Sequence, residues 1–134
     1  MERSELDQVQ NYLRRLFRNP EIRLTPRAQR PDMAEFYIGN DQQGLVTLDT
    51  EDGDRSYNLQ INVPETDLQR AAAFLRKMLG HPDIKVLARP KKKDSAEVYI
   101  GEEFIAVLFL EDNGKAFSFQ MAILDTDLDE GEPE

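Results

Sequence analysis

The chain has 134 residues, 40% hydrophobic and 32% charged, a balance that supports one buried core under a well-solvated surface. It has no cysteine, which excludes disulfides, zinc thiolate sites and thiol catalysis; the longest apolar run, Phe104–Leu110, is far too short to span a bilayer. The net charge of −9 is patterned: residues 1–30 carry +3, 31–67 carry −8, 68–93 carry +7 and 94–134 carry −11, so basic then acidic recurs in each half.

The start, Met-Glu-Arg-Ser-Glu-Leu, lacks the apolar core of a signal peptide, and the expected compartment is the cytoplasm. Ser4 reads as a helix N-cap, followed by Leu6, Val9, Leu13, Leu16 and Phe17 at helical spacing. Asn19-Pro20 ends this helix, since proline cannot continue it and asparagine tolerates a left-handed cap. Four strands are predicted next, near 21–27, 34–39, 44–49 and 56–63, with an Asp52-Gly53 turn between the last two. In the second strand Ala34, Phe36 and Ile38 alternate with Glu35 and Tyr37, giving one apolar and one polar face.

The pattern then repeats. At an offset of 62, Leu6–Gly39 aligns without a gap on Leu68–Gly101, with twelve identities in 34 positions, among them Arg14/Arg76, Pro20/Pro82, Arg27/Arg89, Glu35/Glu97, Tyr37/Tyr99 and Gly39/Gly101. Composition alone would give roughly two or three. Thr66-Asp67-Leu68-Gln69 reads as a capping box, and Leu68, Ala71, Leu75, Met78 and Leu79 form the second apolar stripe. Gly80-His81-Pro82 stops that helix, and strands are predicted near 83–89, 96–101, 104–110 and 116–124, with an Asn113-Gly114 turn.

The expected fold is therefore α+β: two tandem α-β-β-β-β repeats, 4–63 and 66–124, each a helix on a four-stranded antiparallel sheet. A unit of this size is marginal alone, so the repeats are expected to pack as a pseudo-two-fold pair, with the chain a monomer or weak dimer. Residues 125–134 are expected to be an acidic tail, partly disordered.

The run Arg89-Pro90-Lys91-Lys92-Lys93 with Asp94-Ser95-Ala96-Glu97-Val98-Tyr99-Ile100-Gly101 resembles a bacterial family known as domain of unknown function three-one-two-six, as does the ending Phe119-Gln120-Met121-Ala122-Ile123-Leu124-Asp125-Thr126-Asp127-Leu128-Asp129-Glu130. The likeness spans Leu68 to Glu130, and the first repeat looks like a diverged member, with Asn40-Asp41 for Glu102-Glu103. The resemblance implies a double-length relative of a short protein and brings no activity, cofactor or catalytic residue.

Clustered cations at Arg89, Lys91, Lys92 and Lys93 are candidates for binding a partner or an anion such as nucleic acid, although no aromatic residue interleaves them as a base-stacking platform requires. The competing reading is a solvated hairpin loop. Arg27 with Glu35, and Arg89 with Glu97, are expected as cross-strand ion pairs. Glu35, Tyr37, Glu97 and Tyr99 are candidates for an interface between repeats. The acids around Asp49–Asp54 fail the calcium-loop pattern, because Leu48 and Leu59 fall at its first and last ligand positions. His81, the only histidine, aligns with Asn19 and reads as a cap. No catalytic, metal or cofactor residue stands out. Phe104–Leu110 is expected as a fully buried strand, with an exposed edge as the alternative. The function expected is a non-catalytic binding module for an unknown protein partner, with a secretion-type or holding chaperone, or an anion binder, as alternatives, and without a membrane role.

Overall fold

The computed structural model describes residues 1–50, 55–111 and 113–129. It is an α+β protein whose elements run α1 (Arg3–Phe17), β1 (Ile22–Arg27), β2 (Arg30–Ile38), β3 (Asp41–Asp49), β4 (Ser56–Val63), α2 (Leu68–Leu79), β5 (Ile84–Arg89), β6 (Lys92–Ile100), β7 (Glu103–Leu110), β8 (Phe117–Leu124) and α3 (Asp125–Asp129). Strands of the first unit follow the order β1-β2-β3-β4 and those of the second β5-β6-β7-β8, neighbours antiparallel. By compactness the chain divides into a first unit, Met1–Leu59 with the chain from Ala122 onward, and a second unit, Gln60–Met121. No helix among the described residues is long and apolar enough to cross a membrane. The Asp52-Gly53 turn lies outside the described residues, as does the end of the acidic segment beyond Asp129.

In the first unit Leu6, Val9, Leu13 and Phe17 form one buried stripe along α1, which packs on β1. The sheet answers with Ile22 and Leu24 from β1, Ala34 and Phe36 from β2, Val46 from β3 and Leu59 from β4. Removing such side chains from water contributes about 1.5–3 kcal/mol for each large one, and this is what fixes the strand faces. The short helix α3 packs on α1 and buries Leu128.

The second unit repeats the scheme with Ala71, Leu75 and Leu79 on α2 against Ile84, Val98, Leu108 and Phe119. Registers match residue for residue: Ala34 pairs with Val46 as Ala96 pairs with Leu108, and before each tyrosine the register shifts by one extra residue on the partner strand, Gln43 of β3 and Ile105 of β7. The 62-residue offset therefore continues through β3 and β7.

The helix ends differ from the sequence reading. The N-caps are Glu2 and Asp67, not Ser4 and Thr66; Asp67 accepts from the N–H groups of Gln69 and Arg70 at 2.7 and 3.2 Å. The left-handed C-cap of α1 is Arg18 (φ 52°) rather than Asn19, while α2 has Gly80 (φ 79°) at the aligned position. Asn19 and His81 act one residue later. Asn19 Oδ1 accepts from Glu21 N–H at 3.0 Å, and His81 Nδ1 accepts from Asp83 N–H at 3.1 Å. The lone histidine is buried and folds the turn after α2. Arg14 and Arg76, identical in the two repeats, each reach from helix to sheet and donate to the carbonyls of Ile22 and Ile84 at 2.7 and 2.9 Å.

Candidate functional site

The outer faces of the two units, opposite the helices, start from the same three residues. In the first, Arg27 Nε lies 3.7 Å from Glu35 Oε2, and the Tyr37 hydroxyl donates to Glu35 Oε1 at 3.2 Å. In the second, Arg89 Nε lies 3.9 Å from Glu97 Oε2, and the Tyr99 hydroxyl donates to Glu97 Oε1 at 3.0 Å. Donation to a carboxylate stabilises the protonated phenol, so both tyrosines ionise above their ordinary range. Each trio is internally satisfied, and so acts first as a clasp that holds its hairpin. Half-exposed pairs of this kind contribute under about 1 kcal/mol.

The sheet geometry changes the basic loop expected at 89–93. Pro90-Lys91 is a two-residue turn; Arg89 closes β5, and Lys92 and Lys93 open β6, with Arg89 paired opposite Lys92 across a register shift. Arg89 is also engaged by Ser95, its Nη1 donating to Oγ at 3.2 Å. Lys91, Lys92 and Lys93 are exposed at the hairpin end. Tight pairing carries the strand further than the apolar pattern predicts, because hairpin tips need no apolar residues.

The expectation for Phe104–Leu110 is also corrected. β7 lies between β6 and β8, so it is not an edge, yet it is not fully buried. Ala106 and Leu108 face the core, while Phe104 and Phe109 are 51% and 42% exposed on the other side. Leu87 on β5 is 50% exposed on that same outer face, since it pairs with Glu97, which pairs with Val107. Phe104 packs edge-on against Tyr99, centroids 5.8 Å apart. The matched registers place Thr25, Gln42 and Thr47 in the first unit where Leu87, Phe104 and Phe109 stand in the second. At these three positions the first unit is polar and the second apolar, although the first unit also exposes Leu124. The difference between the β3 and β7 segments is legible in the sequence, but not that at Leu87, whose counterpart Thr25 becomes informative only once the register is known.

Cations flank this face. Ile84–Lys93 carries Lys85, Arg89, Lys91, Lys92 and Lys93 and no acid. In the first unit the cations near β1 are committed within the fold. Arg23 donates to the Gly39 carbonyl at 3.0 Å through Nη2 and lies over the Tyr37 ring at 4.8 Å, while Arg14 holds Ile22. These two arginines line a cleft of about 270 Å³ between α1 and β1, together with Arg3, Asp7 and Gln10.

A second polar cluster joins α1 to β4. Glu5 Oε2 accepts from the Tyr57 hydroxyl at 2.7 Å and from Arg55 Nε at 2.8 Å, and Glu5 Oε1 accepts from Glu2 N–H at 3.0 Å. Burial alone would push the Glu5 carboxyl up. The Tyr57 hydroxyl, the Arg55 guanidinium and the Glu2 N–H outweigh it and hold the group below the usual carboxylate range. Burial and the bond to Glu5 push the Tyr57 phenol up to about 12. Both shifts favour the forms that bond each other, which marks a structural clasp. Among the described residues no group of three or more His, Cys, Asp or Glu is placed to hold a metal ion.

Comparison with known proteins finds no curated protein and no solved structure that matches. A family model does match, and it does so twice, over residues 5–67 and 65–127. The duplication read from the sequence and the matched registers of the two hairpin sets thus have one source: the chain belongs to the family described as Protein of unknown function (DUF3126), as a tandem duplicate of its domain.

Proposed function

We propose that this protein is a non-catalytic protein-interaction module that works in the cytoplasm and takes an acidic partner segment on the outer face of its second unit. The observation that carries the reading is the exposure of Leu87, Phe104 and Phe109 on one face, where the first unit has Thr25, Gln42 and Thr47. Apolar side chains held out in water by a rigid sheet are stabilised by a partner that covers them. Lys85, Lys91, Lys92 and Lys93 beside them, with Arg89 already paired to Glu97, make an acidic partner the complementary one and disfavour a basic one. The chain is read as a fused pair of one repeat, each a helix on four strands and related by a pseudo-two-fold; the duplication supports this.

The test is affinity capture of the tagged chain at low salt, beside a variant carrying the first unit's residues, Phe104→Gln with Phe109→Thr. A stoichiometric protein retained by the wild type and lost by the variant supports the reading. Capture of nucleic acid that is lost on substituting Lys91–Lys93 with glutamate would replace it with anion binding. Equal capture by wild type and variant would remove the apolar face from function.

A further inference from the structure

We infer that β5 is an open sheet edge, built to add an acidic extended segment of the partner protein as a new strand; this rests on the interaction-module reading above. The bond from Gly101 N–H to the Asp83 carbonyl, 3.0 Å, sets the alternation along β5. Residues 83, 85 and 87 turn their N–H and C=O groups to β6, and Ile84, Val86 and Ala88 turn theirs away from it. The first unit has the same alternation on β1, and there the outward groups are closed off. Gln10 Oε1 accepts from Leu24 N–H at 2.9 Å, and Pro26 has no N–H to offer. At the aligned positions the second unit has Ala72 for Gln10 and Ala88 for Pro26. An alanine side chain cannot reach the Val86 N–H, and Ala88 supplies an N–H that proline lacks. On the outward side of β5 Arg76 holds the Ile84 carbonyl and α2 packs beside the strand at the buried Ala72, while Leu87 and Ala88 stay exposed. β5 pairs regularly with β6 from Ile84 to Ala88, the register shift falling only between Ala88 and Arg89, and an exposed regular edge without proline is a template for a further strand.

The charges name the occupant. Two copies of this chain joined antiparallel about Leu87 would set Lys85 of each opposite Arg89 of the other, and like charges directly opposite destabilise a pair. The same two cations favour a strand with acids at the positions facing Lys85 and Arg89 and an apolar residue facing Leu87, an acid-x-apolar-x-acid pattern. Leu87 belongs both to this edge and to the apolar outer face, so an added strand extends the surface that Phe104 and Phe109 begin.

The test pans a library of short randomised peptides against the full chain. It is repeated with Ala72→Gln/Ala88→Pro, which gives β5 the residues that β1 already accommodates, and with Phe104→Gln/Phe109→Thr. Circular dichroism verifies that both variants are folded. The expected result is enrichment of peptides with alternating acids, whose affinity falls at least about tenfold on Ala72→Gln/Ala88→Pro, as loss of two main-chain hydrogen bonds requires. Slowed amide exchange at Val86 and Ala88 in the complex is the second readout. Peptides that bind the Ala72→Gln/Ala88→Pro variant unchanged overturn the edge. If those peptides are lost on Phe104→Gln/Phe109→Thr instead, the interaction module stands without it. Enrichment of no peptide overturns both.

Discussion

Replacing Tyr57 with phenylalanine tests whether the Glu5 cluster is a structural clasp. The ring is buried and phenylalanine keeps its packing, so the change isolates one hydroxyl. That hydroxyl makes a 2.7 Å bond to a carboxylate, a class worth about 1.5–3 kcal/mol. Arg55 remains on the same oxygen, so the loss should fall at the low end, about 1.5 kcal/mol at pH 7. The pH dependence gives a second, sharper signature. Tyr57 titrates near 12 in the folded chain and near 10 when unfolded, so its contribution is complete below pH 10 and is lost as the pH rises through 12. A shift of two pH units corresponds at most to roughly 2–3 kcal/mol. Glu5 runs the other way: its lowered value makes its contribution complete above the unfolded carboxylate range and lost as the pH falls through the folded value. Urea unfolding by circular dichroism, wild type against Tyr57→Phe from pH 3 to 12, reads both arms. The other tyrosines are present in both proteins and cancel in the difference. A difference below about 0.5 kcal/mol at pH 7 that stays flat to pH 12 would refute the assignment.

Other substitutions probe the fold from different sides. Leu75→Ala empties a fully buried position on α2 and should cost about 2–5 kcal/mol in the same urea assay. Arg18→Gly relieves the only positive-φ non-glycine residue among those described and should stabilise the chain by about 1 kcal/mol, whereas Gly80→Arg should cost about as much, both read as midpoint shifts. Phe104→Gln/Phe109→Thr removes two half-covered rings, one packed on Tyr99, and should cost about 1–2 kcal/mol, less than Leu75→Ala, while lowering binding of a hydrophobic dye.

Much of the fold is legible in the sequence because its determinants are local and periodic. The stripes Leu6–Phe17 and Leu68–Leu79 reveal the helices, and the alternation around Phe36 and Val98 reveals the strand faces. Gly39 and Gly101 recur because each opens a two-residue turn with φ near +60°, where a side chain would be strained. The N-cap of α1 differs from the serine the sequence suggests because Glu5 draws α1 back to Glu2 through contacts with Arg55 and Tyr57 fifty residues away. Long-range partners of that kind leave no local signal. The apolar outer face was half legible for the same reason. Phe104 and Phe109 are visible as an excess of apolar residues, but which of them face the core is decided by the register shift before Tyr99, and Leu87 joins them only through its register with Glu97.

Comparing the repeats separates what the fold needs from what it does not. Arg14 and Arg76, Glu35 and Glu97, and Gly39 and Gly101 are identical and perform identical geometric tasks in both units. The outer-face and edge positions differ, and their differences agree in direction. The polar face at Thr25, Gln42 and Thr47 accompanies an edge closed by Gln10 and Pro26. The apolar face at Leu87, Phe104 and Phe109 accompanies an edge opened by Ala72 and Ala88. Stability alone links none of these positions, because a threonine on the outer face neither requires nor rewards a glutamine on the helix. A strand laid along β5 links them: it needs the outward N–H groups of Val86 and Ala88, the contact at Leu87, and neighbouring cations that turn away a second copy of the chain.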